Sequence, residues 1–118
     1  MTGRDEADRL LEVITVDCYN VSEQLTAFYE VFAEEVPFPT TATVVGATVR
    51  VVGIDIAEQE LTARCQRAEV ASDLRLADLV FPPDAAAAWI HAAYRRCLGL
   101  RTHPTTMPAR MDAILAVT

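Results

Sequence analysis

The sequence predicts an α+β fold in which helices precede and follow a curled antiparallel sheet of four or five strands. Three features predict it: apolar residues at helical spacing before Pro37, alternating apolar and polar residues in a Thr- and Val-rich middle, and a return to helical spacing after Pro83. Because 118 residues suffice for one hydrophobic core but not for two, we expect residues 1–118 to form a single domain.

Two helices are predicted before the sheet. The segment 5–17 starts with acidic residues and carries apolar residues at helical spacing, namely Leu10, Leu11 and Ile14. Asn20 and Glu23 then form the pattern of a capping box. The run after them places apolar side chains on one face of a second helix: Leu25, Phe28, Tyr29, Phe32, Ala33 and Val36. Pro37 and Pro39 end this helix, because proline disfavours the α conformation in the residue before it.

Strands are predicted between the prolines and residue 81. TTATVV (40–45) and TVRVVGI (48–54) are rich in β-branched residues and join at Gly46-Ala47, which predicts a hairpin with a two-residue turn. ELTARCQR (60–67) and SDLRLADLVF (72–81) alternate apolar and polar side chains and predict two further strands. Short sequential strands of this kind predict a meander that curls into an SH3-like small barrel.

A third helix is predicted in PPDAAAAWIHAAYRRCLG (82–99), with Asp84 as N-cap and Gly99 as the left-handed residue that ends it. For the segment 100–118 we expect a partly ordered tail, or a final short helix or strand at 111–117. The predicted core combines apolar residues from all these elements: Leu25, Phe28, Phe32, Val44, Val49, Val51, Leu61, Leu74, Leu76, Trp89 and Ala93.

Composition and charge narrow the expected partners. The chain has a formal net charge of −7, and it lacks the run of about 18 apolar residues that a membrane helix needs. Residues 1–60 hold 12 acids and 3 arginines, and this acidic half would repel nucleic-acid phosphates and anionic lipids. We therefore expect no nucleic acid and no membrane among the partners. The first residues do not resemble a signal peptide, which predicts a cytoplasmic location.

Signatures of catalysis and of zinc binding are absent from the sequence, which contains no GxSxG, no HExxH and no phosphate-binding glycine loop. Cys18, Cys65 and Cys97 lack the close pairing of zinc ligands and are expected to be reduced, small buried hydrophobes. His91 lies beside apolar residues in the third helix, so we expect it at the surface or at the edge of the core. A non-enzymatic protein is favoured, and a small enzyme that uses Cys or His stays the least favoured alternative.

An acidic segment between two predicted strands is the main candidate for chemistry. Asp55, Glu58 and Glu60 follow a β-like run, and Glu34 and Glu35 close the acidic second helix. Calcium takes six to eight oxygen ligands from carboxylates, carbonyls and waters, so these side chains could contribute several. The spacing is not that of an EF-hand, and acidic turns between strands are also common as plain solvated turns.

The order FYEVFAEEVPFPTTATVVG, VRVVGIDIAEQELTARCQR, SDLRLADLVFPP, over roughly residues 25–82, resembles the CcbP-type calcium-binding family of small bacterial proteins, known from cyanobacteria and also from actinobacteria. Phe38-Pro39 matches the family's FPF-A segment, with Thr40 at its second Phe and Ala42 at its Ala. The resemblance implies a helix that leads into a small barrel-like meander, and calcium buffering or sensing without EF-hands.

By this resemblance the calcium ligands would be surface carboxylates. They would come from the acidic turn, from the end of a strand and from the helix before FPF-A: Asp55, Glu58, Glu60, Asp78, Glu34 and Glu35. Ile56 and Ala57 interrupt the acids of the turn, and the last helix lies outside the resemblance. These departures leave room for a relative that kept the fold and lost the ion.

Two hypotheses of different classes therefore stand. The leading one is a non-enzymatic calcium-binding protein, a buffer or a sensor, with the calcium ion as partner. The alternative is a protein-interaction or accessory module of the same fold, whose acidic helix face or Arg64–Arg67 strand engages a protein partner or a second copy in a homodimer.

Overall fold

The computed structural model describes residues 6–102, and the predicted α+β class is confirmed. Its elements, in chain order, are α1 (Glu6–Ile14), α2 (Val21–Glu35), β1 (Thr40–Val44), β2 (Ala47–Ala57), β3 (Glu60–Arg67), β4 (Val70–Arg75), a 3₁₀ helix (Leu76–Asp78) and α3 (Ala86–Cys97). None of the helices in this range is long and apolar enough to cross a membrane. His103 and the tail segment 103–118 lie outside the described residues.

The start of α2 forms the predicted capping box with one change of partner. The Asn20 side chain accepts a hydrogen bond from the Glu23 N–H at 2.9 Å. In return, Glu23 Oε1 accepts from the N–H of Tyr19 at 2.7 Å, one residue before the N-cap. The first bond satisfies a donor of the first turn that helix geometry leaves without an internal partner, and the second ties the residue before the cap to the helix.

Replacing Asn20 by alanine should lower the free energy of unfolding by about 1 kcal/mol, because the Glu23 N–H then loses its acceptor. Urea unfolding followed by circular dichroism measures this loss. Asn20→Ser is the matched variant, since serine also caps helices, and it should stay within about 0.5 kcal/mol of the parent. Equal losses in both variants would show that the cap contributes nothing.

The sheet is an antiparallel meander in the order β1-β2-β3-β4. The predicted turn at Gly46-Ala47 is wrong by one residue: Val44 pairs with Ala47, so the turn is Val45-Gly46. Both turn residues have positive φ, 49° and 78°, as a type I′ hairpin turn requires.

The fourth strand is shorter than the predicted 72–81, and the SH3-like barrel is not confirmed. β4 ends at Arg75, and the 3₁₀ helix then turns the chain so that Leu76, Ala77 and Leu79 are all buried, which the strict alternation of a strand would not allow. Val80 reaches the free edge of β1 and exchanges two 2.8 Å backbone hydrogen bonds with Thr43. This single bridge does not close the sheet, because β4 itself remains an edge strand among the described residues.

A bulge in β2 decides which side chains face the helices. The pairing with β3 skips one residue between Val51 and Gly53. Val51 is buried against the core, and beyond the bulge the inward positions pass to Ile54 and Ile56. Asp55 therefore points to the outer, solvated face, where unbroken alternation from Val51 would have turned it inward.

Helix α3 is the buried central helix of the structure. Every residue from Ala87 to Tyr94 is buried, since α1, α2 and the 3₁₀ helix all pack against it. The predicted surface or core-edge position of His91 is wrong: the residue is 1% exposed, its Nε2 donates to the Leu76 carbonyl at 2.8 Å, and its ring meets Phe81 edge-on.

The sequence predicted the C-terminal end of α3 correctly but not its N-terminal end. Gly99 ends the helix as predicted: it has φ 77°, and the N–H groups of Gly99 and Leu100 bond back to Arg96 and Arg95 in a Schellman arrangement. Asp84 is not the N-cap, because a turn closed by the Ala85 N–H and the Pro82 carbonyl takes up this residue and moves the cap to Ala85.

The core lies between the inner face of the sheet and the three helices. The predicted core residues are buried except Val44 and Leu74, which are half-buried. Phe28 and Tyr94 meet edge-on with ring centroids 5.5 Å apart, which joins α2 to α3. An ion pair between Arg96 and Asp8, 3.0 Å long, joins α3 to α1.

Candidate metal site

The segment predicted as an acidic loop is a tight hairpin. β2 runs to Ala57 and β3 starts at Glu60, so only Glu58 and Gln59 lie outside the strands. Both turn residues have positive φ, 52° and 73°. Asp55 belongs to the strand, and its Oδ1 accepts the N–H of Ile56 at 2.8 Å.

The strand acids share the outer face of the sheet at its β2–β3 turn. Asp55 pairs with Thr62, and Thr62 pairs with Arg75, so these three residues form one row across β2, β3 and β4. Glu60 begins β3 on the same face, opposite Ala57. Asp55 and Glu60 are therefore diagonal neighbours across the two strands, for which a separation of about 7–8 Å is typical.

Arg75 is the cation of this neighbourhood. Its Nε donates to Glu60 Oε1 at 2.9 Å, and the hydrogen bond raises the pKa of Arg75. The negative charges of Glu60 and then of Asp78 raise this pKa further. One of the six predicted ligands, Glu60, is therefore bonded to a guanidinium, and the charge of a second, Asp78, acts on the same group.

Next to Glu60, a buried phenol fixes the backbone. Tyr94 on α3 is 1% exposed, and its hydroxyl oxygen accepts the N–H of Leu61 at 2.9 Å. Burial raises the pKa of Tyr94, and the charge of Glu60 raises it as well, whereas the bond from Leu61 lowers it. The start of β3 is thus anchored to the central helix immediately after the acid that holds Arg75.

The six predicted ligands do not form one group in the structure. Glu34 and Glu35 lie at the last turn of α2, which is followed by the Pro37–Pro39 segment, whereas the other four belong to the sheet end and the 3₁₀ helix. Among residues 6–102, no three acidic, histidine or cysteine side chains lie close enough together to hold one ion. The described arrangement is a set of acids around Arg75, without a ready-made cation cage.

The predicted burial of the three thiols is confirmed only for Cys65. Cys18, Cys65 and Cys97 are free cysteines; Cys65 is buried and the other two are half-buried. Burial is the largest cause that raises the pKa of each thiol. The thiol form is therefore favoured over the thiolate, the form that ligates zinc.

The Arg64–Arg67 segment is not a free edge, because β3 is paired with β2 on one side and with β4 on the other. Arg64 bonds to Asp73 of β4 at 3.3 Å. The edge strands of the sheet are β4 and β1, and Val80 bridges to Thr43 of β1.

Comparison with known proteins gives a match in structure only. No protein-family model matches the chain, and no curated protein does. The crystal structure of Anabaena CcbP is similar, with a TM-score of 0.62 at 19% identity over 85% of this chain and 97% of that one. A calcium-binding protein in its calcium-binding form is similar as well, with a TM-score of 0.61 at 18% identity over 86% of this chain and 99% of that one. The resemblance predicted from the sequence is confirmed at the level of the fold.

Proposed function

We propose that this chain is a non-enzymatic calcium-binding protein that acts as a buffer or sensor through carboxylates at the β2–β3 end of the sheet. The observation that carries the proposal is that four acids lie at one end of the sheet: Glu60 and Asp78, whose charges act on Arg75, Asp55 in the row of Arg75 two strands away, and Glu58 in the adjacent turn. One structure with this fold is a calcium-binding protein in its calcium-binding form, which supports the choice of ion.

The donor chemistry of these residues fits calcium, which prefers carboxylate and carbonyl oxygens and accepts an irregular arrangement of them. Their placement fits only in part, because Arg75 already occupies the space beside Glu60. Calcium binding therefore requires that the guanidinium give up its bond to Glu60. An exposed ion pair of this kind is weak, so it can be exchanged for a divalent cation.

Replacing Asp55 by asparagine and Glu58 by glutamine in one variant should abolish saturable calcium binding. It should also raise the melting temperature of the calcium-free protein, because two mutually repelling charges are removed. Isothermal titration calorimetry and thermal melts measure both effects.

The matched control is Asp17→Asn with Glu30→Gln, which removes the same charge from exposed acids beside α1 and α2. This variant should bind calcium like the parent. An unchanged titration in the Asp55 and Glu58 variant would remove these two residues from the site.

The alternative is an interaction module of the same fold that no longer binds metal. The ion pair between Arg75 and Glu60 favours it, since it already satisfies a candidate ligand. The interaction-module hypothesis predicts the same melting temperature with calcium and with chelator. It also predicts a stable complex with a protein partner, or a larger mass when two copies associate. The calcium-binding hypothesis predicts a melting temperature that depends on calcium.

A further inference from the structure

The edge of β4 is open in the structure. β4 pairs only with β3 among the described strands, and five of its six residues are exposed. Val70 is 66% exposed although its partner position, opposite Arg67, belongs to the inner, apolar face. Unpaired strand edges present a row of backbone donors and acceptors that another strand can satisfy.

An apolar groove runs beside this edge. It has a volume of about 340 Å³ and is lined by β2, β3 and β4 side chains that include Val49, Cys65, Val70 and Leu74. The inward residues of β4 are Val70, Ser72 and Leu74, of which Val70 is exposed and Leu74 half-buried, so apolar surface is left uncovered at both ends of the strand.

The residues of β4 are complementary to themselves in one antiparallel register. When two copies pair around Ser72, Val70 lies opposite Leu74 on the inner face, and Glu69, in the turn before β4, lies opposite Arg75 of the other copy, whose guanidinium also bonds to Glu60 of its own chain. Apolar residues then cover each other and opposite charges meet twice, because the two-fold axis repeats each pair.

The neighbouring registers with the same faces are worse. Pairing around Ala71 would set Glu69 of each copy against Asp73 of the other, and pairing around Asp73 would set this carboxylate against its own copy. Pairing around Leu74 would use Leu76, which is buried in the 3₁₀ helix and has left the strand.

We propose that two copies of this chain form a homodimer by antiparallel pairing of β4 with β4 around Ser72, which joins their sheets into one and closes the two apolar grooves against each other. The interface is small, so the dimer is reversible. It uses none of the proposed calcium ligands and forms without calcium; Arg75, which bonds to Glu60, is the residue that it shares with the calcium site.

Sedimentation equilibrium of the full chain tests the proposal. The average molecular mass should rise from 12.9 kDa towards twice that value between about 10 µM and about 1 mM protein. This is the concentration range in which a dimer with a small interface is expected to form. Ser72→Lys places two ammonium groups face to face at the axis and should give a monomer at every concentration. Glu69→Arg should weaken the dimer by about tenfold, because an attraction repeated by symmetry becomes a repulsion.

Glu30→Arg is the matched control, since it makes the same charge change on the exposed side of α2 and should leave association unchanged. Circular dichroism verifies that each variant is folded. A mass of 12.9 kDa for the parent at every concentration, or a dimer that survives Ser72→Lys, would overturn the proposal. Calcium titration of the folded Ser72→Lys monomer separates this result from the calcium site, which should bind the ion as before.

Discussion

Replacing Arg75 by glutamine should tighten calcium binding by roughly three- to tenfold, the effect expected when one positive charge is removed within a few ångströms of a divalent ion at a solvated surface. In the structure the guanidinium bonds to Glu60 and is acted on by Asp78, so it competes for the charge that calcium needs. Glutamine keeps much of the side-chain length and removes only the charge. Calorimetric titrations of the parent and the variant in one buffer measure the ratio of dissociation constants.

Arg64→Gln is the matched control for this experiment. Arg64 lies on the same outer face as Arg75 and also pairs with an acid, Asp73 of β4. This pair lies one row further from the β2–β3 turn than the row that contains Thr62 and Arg75. We expect less than a twofold change in calcium affinity for this variant, because screening weakens the influence of more distant charges. Weaker binding after Arg75→Gln would show that Arg75 supports the calcium site rather than competing with it.

Replacing Tyr94 by phenylalanine should lower the free energy of unfolding by about 1–3 kcal/mol at neutral pH, because the buried Leu61 N–H loses its acceptor without a substitute. The ring packing against Phe28 is retained, so the loss isolates the hydroxyl group. Urea unfolding measures the effect. Tyr29→Phe, at an exposed position on α2, should change the free energy by less than about 0.5 kcal/mol.

The same residue gives the fold a dependence on alkaline pH. The pKa of Tyr94 in the folded state lies above its ordinary value of 10.0, and those of Cys65 and Cys97 lie above 9.0. A raised pKa means that the folded state holds these protons more tightly, so stability is full below the ordinary values and falls as pH rises through the folded ones. Tyr94→Phe should make this fall shallower, and an equally steep fall would assign it to the thiols.

The parts of the fold that follow from local sequence were predictable. The capping box at Asn20 and the left-handed conformation of Gly99 depend on residues within a few positions of each other. The alternation of apolar and polar residues in β3 likewise indicates where this strand begins and ends. The start of α3 was not, because the turn that moves the cap from Asp84 to Ala85 depends on backbone bonding that the composition of the segment does not reveal.

The candidate site was predictable in its residues but not in its arrangement. Asp55 faces solvent because of the bulge next to Gly53, and a bulge depends on how two strands register, which no local pattern fixes. Arg75 was missed because it joins Glu60 across 15 positions of sequence. The sequence contained one indication of its role: the alternation of the fourth strand places Arg75 on the outer face, where it lies opposite Thr62.

The central claim is that these acids exchange an arginine for calcium, and a calorimetric calcium titration of the metal-free protein near physiological ionic strength tests it most directly. The account predicts saturable heat and a melting temperature that rises with calcium more than with magnesium, since a ligand that binds only the native state stabilises it. Absence of heat, together with identical melts in calcium, magnesium and chelator, would contradict it and make the β2–β3 turn a solvated hairpin.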